Sequence, residues 1–160
     1  LAPELDKVVL ATSNRGKLAD FQHLLVGTGI ALVLPGDCGV QMDVEETGRT
    51  FEENALLKAR ALARATDLPT LADDSGLAVA ALGGAPGVYS ARYAGPKCDD
   101  RANNRKLIAE LAGQIDRRAA FVCALALVLR DGTEVVSHGT CEGRVIDQER
   151  GTNGFGYDAV

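Results

Sequence analysis

Val8-Val9-Leu10-Ala11 is apolar throughout, the pattern of a strand buried on both faces. Thr12-Ser13-Asn14-Arg15-Gly16-Lys17 follows as a polar turn. Leu18, Phe21 and Leu25 then recur at helical spacing until Gly27 and Gly29 end the pattern. The segment reads as strand, turn, helix, with hydroxyls, an amide and a lysine at a helix N-terminus, a favourable place for an anion. The GxxxxGK[ST] spacing of a Walker A loop is absent, and a capped helix start with a solvated lysine is the plainer alternative. Ala31 to Leu34 predicts a second strand, stopped by Pro35-Gly36-Asp37. Asp43 to Gly48 is an acidic loop. Thr50-Phe51-Glu52-Glu53 is a capping box opening a helix to about Thr66. Asp99 is placed to cap a helix that packs with Ala102, Leu107, Ile108 and Leu111 and stops at Gly113. Phe121 to Leu129 predicts a central strand, and Asp131-Gly132 a hairpin returning through Glu134 to Thr140.

Two stretches depart from simple patterning. Thr70 to Val79 contains Asp73-Asp74-Ser75-Gly76 between the end of an apolar strand at Leu71-Ala72 and a second apolar segment from Leu77 to Leu82. The carboxyl ends of strands in an α/β sheet are where ligands bind. If both aspartates are extended, their side chains point to opposite faces, so one of them is the working carboxylate. Ser75 and Gly76 add a hydroxyl and an open backbone. All four residues are also turn formers, so a plain turn is the competing reading. In the helix from Phe51, the residues Phe51, Ala55, Leu62 and Ala65 share a face that also holds Asn54 and Lys58, while Glu53, Arg60 and Arg64 lie opposite. Lys58 must snorkel outward or enter a polar cavity to meet an anion.

Two glycine-rich stretches remain. Gly83 to Gly95 reads as a tightly shaped surface loop with Arg92 as its permanent cation. Gly154-Phe155-Gly156-Tyr157-Asp158, near the C-terminal residue, offers two aromatics as a stacking platform for a base, unless the segment is a floppy tail.

Length and composition narrow the partners. The 160 residues suit one domain, 1–160, with its own core. Net charge is −5, from 17 basic and 22 acidic residues with no basic block, which argues against a nucleic-acid partner but not against a nucleotide held with a metal ion. No apolar run is long enough to span a bilayer, and Leu1-Ala2-Pro3-Glu4 carries no signal pattern. Cys38, Cys98, Cys123 and Cys141 are far apart and lack CxxC spacing. The expectation is therefore a soluble cytoplasmic protein without membrane attachment. Together the turn, the acidic residues, the inward lysine and the aromatic pair fit a metal-dependent enzyme acting on a nucleoside triphosphate.

The same residues, in order, resemble the successive motifs of the inosine/xanthosine triphosphate pyrophosphatases. The resemblance runs from Val8 to Asp158 through Thr12–Lys17, Glu45-Glu46-Thr47-Gly48, Phe51 to Arg60, Ala72-Asp73-Asp74-Ser75-Gly76-Leu77, Gly83 to Tyr93 and Gly154 to Asp158. It implies an α/β fold, an elongated mixed central β-sheet flanked by helices, with the substrate in a cleft between two lobes, and a homodimer. It implies Mg²⁺-dependent hydrolysis of ITP, dITP and XTP to the monophosphate and pyrophosphate, clearing non-standard purine nucleotides from the pool. Carried over residue by residue, the phosphate-binding turn falls on Thr12, Ser13, Asn14, Arg15, Gly16 and Lys17. The metal carboxylates fall on Glu46 and Asp74, with Asp74 also the proton acceptor. Ser75 joins the substrate site, and Phe155, Gly156, Tyr157 and Asp158 the base pocket. Lys17 and Lys58 serve as fixed positive charges toward the triphosphate.

Two departures qualify the match. Ala159 stands where the family has proline. The family also continues for several tens of residues, with a lysine and a Ser-His-Arg motif that contact the base, and this sequence has none of them. The expectation is a chain that still binds Mg²⁺–triphosphate, but weakly, with poor catalysis and little preference for ITP over ATP or GTP. The competing functions are a metal–nucleotide-binding fragment without catalysis and a pyrophosphatase of modified pyrimidine nucleotides.

Overall fold

A computed structural model describes residues 5–160, so the reading of residues 1–4 falls outside it. The elements are β1 (Lys7–Leu10), α1 (Arg15–Leu24), β2 (Ala31–Val33), α2 (Phe51–Thr66), β3 (Thr70–Val79), α3 (Asp100–Glu110), β4 (Arg118–Val128) and β5 (Glu134–Arg144). The sheet order is β2-β1-β3-β4-β5. β1 runs parallel to β2, with Val8 beside Leu32, and to β3, with Leu10 beside Leu71. β4 and β5 form the hairpin expected at Asp131-Gly132, where Gly132 N donates to Leu129 O at 3.0 Å and Leu129 N to Thr133 O at 2.9 Å. The sheet is thus mixed. β5 runs four residues beyond the expected stop at Thr140.

The chain divides into two compact units. One runs to Asp74 and takes in Ala124–Ser137; the other holds Ser75–Cys123 and His138–Val160. The first has a core of small residues, Ala11, Ala55, Ala59, Ala72, Ala124 and Ala126, closed by Leu62 and Val128. Alanine on both the α2 and the strand surfaces leaves little side chain between them, so the helix packs close against the strands. The core of the second unit is larger-grained: Leu77, Val79, Leu107, Leu111, Val145 and Tyr157.

Four expectations are corrected. The strand expected to end at Leu71-Ala72 runs on through Asp73-Asp74-Ser75-Gly76 as one ten-residue β3, which also rules out the competing turn. Packing overrides the turn propensity: a Cβ on Gly76 would lie 2.6 Å from Gly87 O and would also collide with Ser90 Oγ. On α2 the buried residues are Asn54, Ala55, Lys58, Ala59 and Leu62, whereas Ala65 is exposed. The capping box is half formed. Thr50 Oγ1 accepts from Glu53 N at 3.1 Å, but the Glu53 carboxylate accepts from Arg49 N at 2.6 Å rather than from Thr50. Between Gly83 and Gly95 the chain is not plain loop, since Gly87–Arg92 forms a 3-10 turn, with Arg92 stacked 5.2 Å from the Tyr89 ring. All four cysteines are free thiols, and no helix of the described residues is long and apolar enough to cross a membrane.

Candidate active site

The polar turn after β1 begins the site. Thr12 Oγ1 accepts from Asn14 N at 3.0 Å, and Asn14 Oδ1 accepts from Gly16 N at 2.8 Å and Lys17 N at 3.2 Å. Asn14 is therefore the N-cap of α1 and satisfies two of the donors that every helix start leaves open. Those two N–H groups are taken by the cap, so the turn's capacity for an anion passes to the side chains, Lys17 first. Lys17 sits one turn into α1, and its Nζ lies 2.5 Å from Asp73 Oδ2.

Asp73 and Asp74 lie just past Leu71, the residue beside the last position of β1. They stand in mid-β3, yet beyond the carboxyl end of the neighbouring parallel strand β1. Strand alternation separates them as expected. Asp73 meets Lys17, whereas Asp74 meets α2: Asn54 Nδ2 donates to Asp74 Oδ2 at 3.0 Å, and Lys58 Nζ lies 3.9 Å from Asp74 Oδ1. Asn54 and Lys58, four residues apart, share one face of α2. Lys58 does not snorkel. It is 6% exposed, and its ammonium sits 2.6 Å from Glu46 Oε1.

Glu46 reaches that point because its loop is docked on α2. Gly48 N donates to Asn54 Oδ1 at 2.7 Å, and a Cβ on Gly48 would lie 2.8 Å from Glu53 Cβ. Asn54, fully buried and bonded on both ends of its amide, joins the acidic loop to Asp74. In the sequence Asn54 stands out only as a polar residue on an apolar face; that anomaly, four residues before Lys58, is the available signal. Burial raises the Asp74 pKa above the usual carboxylate value. Lys58 and the Asn54 hydrogen bond oppose the rise, Glu46 adds to it, and Lys17 lowers it slightly.

Ser75 and Phe155, Gly156, Tyr157 and Asp158 belong to the second unit, whereas Ser13 and Arg15 lie exposed at the start of α1 in the first. Ser75 is half-buried in β3. Phe155 exposes 39% of its surface, but Tyr157 is only 5% exposed. The Tyr157 ring packs in the core with Leu107 and Leu111, and its hydroxyl donates to Ser90 O at 2.8 Å. Burial holds its phenol well above the usual tyrosine pKa. Tyr157 therefore offers no stacking face, which corrects the paired-platform reading and leaves Phe155. Nor is the segment a floppy tail: Asp158 Oδ2 accepts from Phe155 N at 3.0 Å, and Gly156 N donates to Asp100 Oδ2 at 2.8 Å.

A profile of the Ham1 family matches residues 8–160. The chain belongs to the Ham1 family. It is 50% identical over 158 residues to a dITP/XTP pyrophosphatase of Halorhodospira halophila, covering 96% of this chain and 79% of that protein. With a dITP/XTP pyrophosphatase of Streptomyces avermitilis it shares 51% over 160 residues, covering 98% and 80%. Among solved structures, a HAM1 protein from Coxiella burnetii superposes with a TM-score of 0.87 at 45% identity, covering 96% of this chain and 80% of that one. A nucleoside-triphosphatase / dITP/XTP pyrophosphatase from Mycobacterium abscessus gives 0.81 at 46% identity, covering 96% and 82%.

In this Ham1 family chain the first unit thus gathers two ammonium groups and three carboxylates. The Glu46 and Asp74 carboxylates both face the Lys58 ammonium, so two hard oxygen donors already converge on one positive charge. Among the described residues no cluster of three or more His, Cys, Asp or Glu side chains is arranged to hold a metal by itself. A pair of carboxylates without a complete protein cage fits a hard divalent ion that takes its remaining ligands from water and substrate phosphates.

Proposed function

We propose that the chain hydrolyses non-standard purine nucleoside triphosphates (dITP, ITP and XTP) between the α and β phosphates. The products are the nucleoside monophosphate and pyrophosphate, and the reaction keeps these nucleotides from incorporation into DNA and RNA. The observation that carries the reading is the convergence of Lys58, Glu46 and Asp74, with Lys17 on Asp73 beside it, in a chain about half identical to relatives named dITP/XTP pyrophosphatases.

Lys17 and Lys58 bind the phosphate chain, exchanging part of their contact with Asp73 and Glu46 for phosphate oxygens; Thr12, Ser13, Asn14, Arg15 and Gly16 shape the turn that receives it. Glu46 and Asp74 would hold Mg²⁺, which supplies charge neutralisation for the triphosphate and its leaving group. Asp74 accepts the proton of the attacking water at Oδ1, the oxygen that faces Lys58. Asn54 fixes the carboxylate for this by holding Oδ2, so that one oxygen is oriented and the other works. A burial-raised pKa brings Asp74 closer to what a general base needs. Ser75 adds a hydroxyl on the strand residue that follows. Phe155 stacks on the base, and Asp158 holds the backbone of Phe155 in place. The same reading takes the enzyme as a cytoplasmic homodimer.

The test is pyrophosphate release from dITP, XTP, dTTP and UTP with Mg²⁺. Turnover of dITP and XTP well above the pyrimidines is expected. Preference for the pyrimidine nucleotides, or tight binding of dITP without pyrophosphate release, would overturn the reading.

A further inference from the structure

Gly156 has no side chain and a left-handed φ of 60°, yet the peptides on both sides of it are held by one helix. Its N–H donates to Asp100 Oδ2 at 2.8 Å, and its carbonyl accepts from Asn104 Nδ2 at 3.3 Å. Asp100 and Asn104 are one helical step of four apart on α3 and so share a face. The Asn104 nitrogen also donates to Glu149 Oε1 at 3.2 Å, a few residues upstream in the same loop. The helix that carries them is itself fixed. Leu107 and Leu111 are fully buried, and Asn103 accepts from Ala94 N at 2.6 Å and donates to Ala91 O at 2.9 Å.

Asn104 Oδ1, by contrast, is buried with no hydrogen-bond partner. A buried orphan acceptor opposes stability and asks for another reason to be there. Its two acceptors on the nitrogen side supply one: the amide is oriented for the loop at the expense of its own oxygen. Asp100 is similarly placed. Asp99 already caps α3 through Ala102 N at 3.0 Å, so the helix start does not need Asp100, and its carboxylate goes to Gly156.

We propose that Asp100 and Asn104 are positioning residues for the substrate base. By holding both peptides of Gly156 they set the backbone from which the exposed Phe155 ring projects, and so keep that ring ready to stack on a purine. A loop fixed to a helix holds a ring more closely than glycine-flanked chain can. The inference rests on Phe155 being the stacking residue.

The experiment compares the full chain with Phe155→Ala, Asp100→Ala, Asp100→Asn, Asn104→Ala and the Phe155→Ala/Asp100→Ala double variant. Each is assayed for the KM and kcat of dITP and for inhibition by inorganic tripolyphosphate, which has phosphates and no base. Loss of stacking in Phe155→Ala raises KM about tenfold. Asp100→Ala and Asn104→Ala forfeit at most that stacking and raise it about fivefold, with the tripolyphosphate Ki unchanged. Asp100→Asn keeps an acceptor oxygen and returns KM to the wild-type value. In the Phe155→Ala background Asp100→Ala adds nothing, because both act through one ring. If Phe155→Ala leaves KM unchanged, the stacking reading fails and takes this inference with it. If Phe155→Ala acts but the α3 variants do not, or add to it fully, or move the tripolyphosphate Ki equally, the clamp alone is overturned. Asp100 is exposed at the helix start, so its variants fold and keep the test open even if Asn104→Ala does not.

Discussion

Replacing Lys58 by methionine keeps the apolar stem and removes the charge, and the structure says what each half of that change does. The ammonium is within 2.6 Å of Glu46 Oε1 and 3.9 Å of Asp74 Oδ1, with the lysine side chain 8% exposed. Breaking a buried pair by removing one partner costs about 3–5 kcal/mol, because a charge is left uncompensated. Glu46 is 29% exposed and water can resolvate it, so the lower end, about 3 kcal/mol, applies here. For a chain of this size that lowers Tm by about 6–12 °C. A charge-assisted contact to phosphate is worth about 1.5–3 kcal/mol, so the Ki of tripolyphosphate rises about 10- to 100-fold. Adding Glu46→Gln separates the two effects. The double variant keeps only Asp74 of the two stranded carboxylates and recovers part of its Tm, whereas its phosphate affinity stays low. Thermal melts and inhibition titrations on the three proteins decide it. A Lys58→Met protein with an unchanged Ki would make Lys58 a packing charge only, and an unchanged Tm would refute the buried-pair reasoning.

Three further outcomes are expected. Asp74→Asn abolishes Mg²⁺-dependent pyrophosphate release while the circular-dichroism spectrum is kept; Asp73→Asn loosens Lys17 and retains measurable kcat, so equal loss in a folded Asp73→Asn would remove the distinction between them. Gly76→Ala drives a methyl against Gly87 O and Ser90 Oγ and destabilises by about 2–3 kcal/mol in urea unfolding; a wild-type midpoint would mean that β3 has room there. Chelating divalent ions removes triphosphate binding and not merely turnover, which calorimetric titration with and without EDTA reads directly; equal affinity in both would show that the lysines suffice.

Periodicity made most of the elements legible. The buried faces of β1 and the N-caps Thr50 and Asp99 are local signals, and the structure places them within a residue or two of the expected bounds. What stayed hidden was decided at long range. The turn propensity of Asp-Asp-Ser-Gly is a property of four residues, whereas the strand that runs through them is set by neighbours such as Ser90, fourteen residues on from Gly76. Helical spacing placed Lys58 on a buried face but could not say that Glu46 would be folded back to meet it. That depends on Gly48 fitting against Asn54. Tyr157 and Phe155 look alike as aromatics in a glycine-rich stretch. Only the tertiary partner, Ser90 O, separates the core residue from the exposed one.

Under the proposed function, the charges of the first unit explain why three carboxylates are tolerated where a polyanion would bind. Lys17 and Lys58 contribute two positive charges, and Asp73, Asp74 and Glu46 three negative ones, so the group carries −1 if all are ionised. A triphosphate brings about four more negative charges, and such transfers proceed only when metal ions and fixed cations offset them. If the lysines alone were the binding device, the carboxylates beside them would be a defect, since each ammonium is already engaged at 2.5–2.6 Å. With a divalent ion the arrangement becomes coherent. Under the proposed function Glu46 and Asp74 would hold the ion, and Lys58 would exchange part of its contact with them for a phosphate oxygen. On this logic the carboxylates keep Lys58 buried and both lysines oriented in the free protein, where an unpaired ammonium would be costly. Under the proposed function they would also make binding conditional on the metal–nucleotide complex rather than on the nucleotide alone.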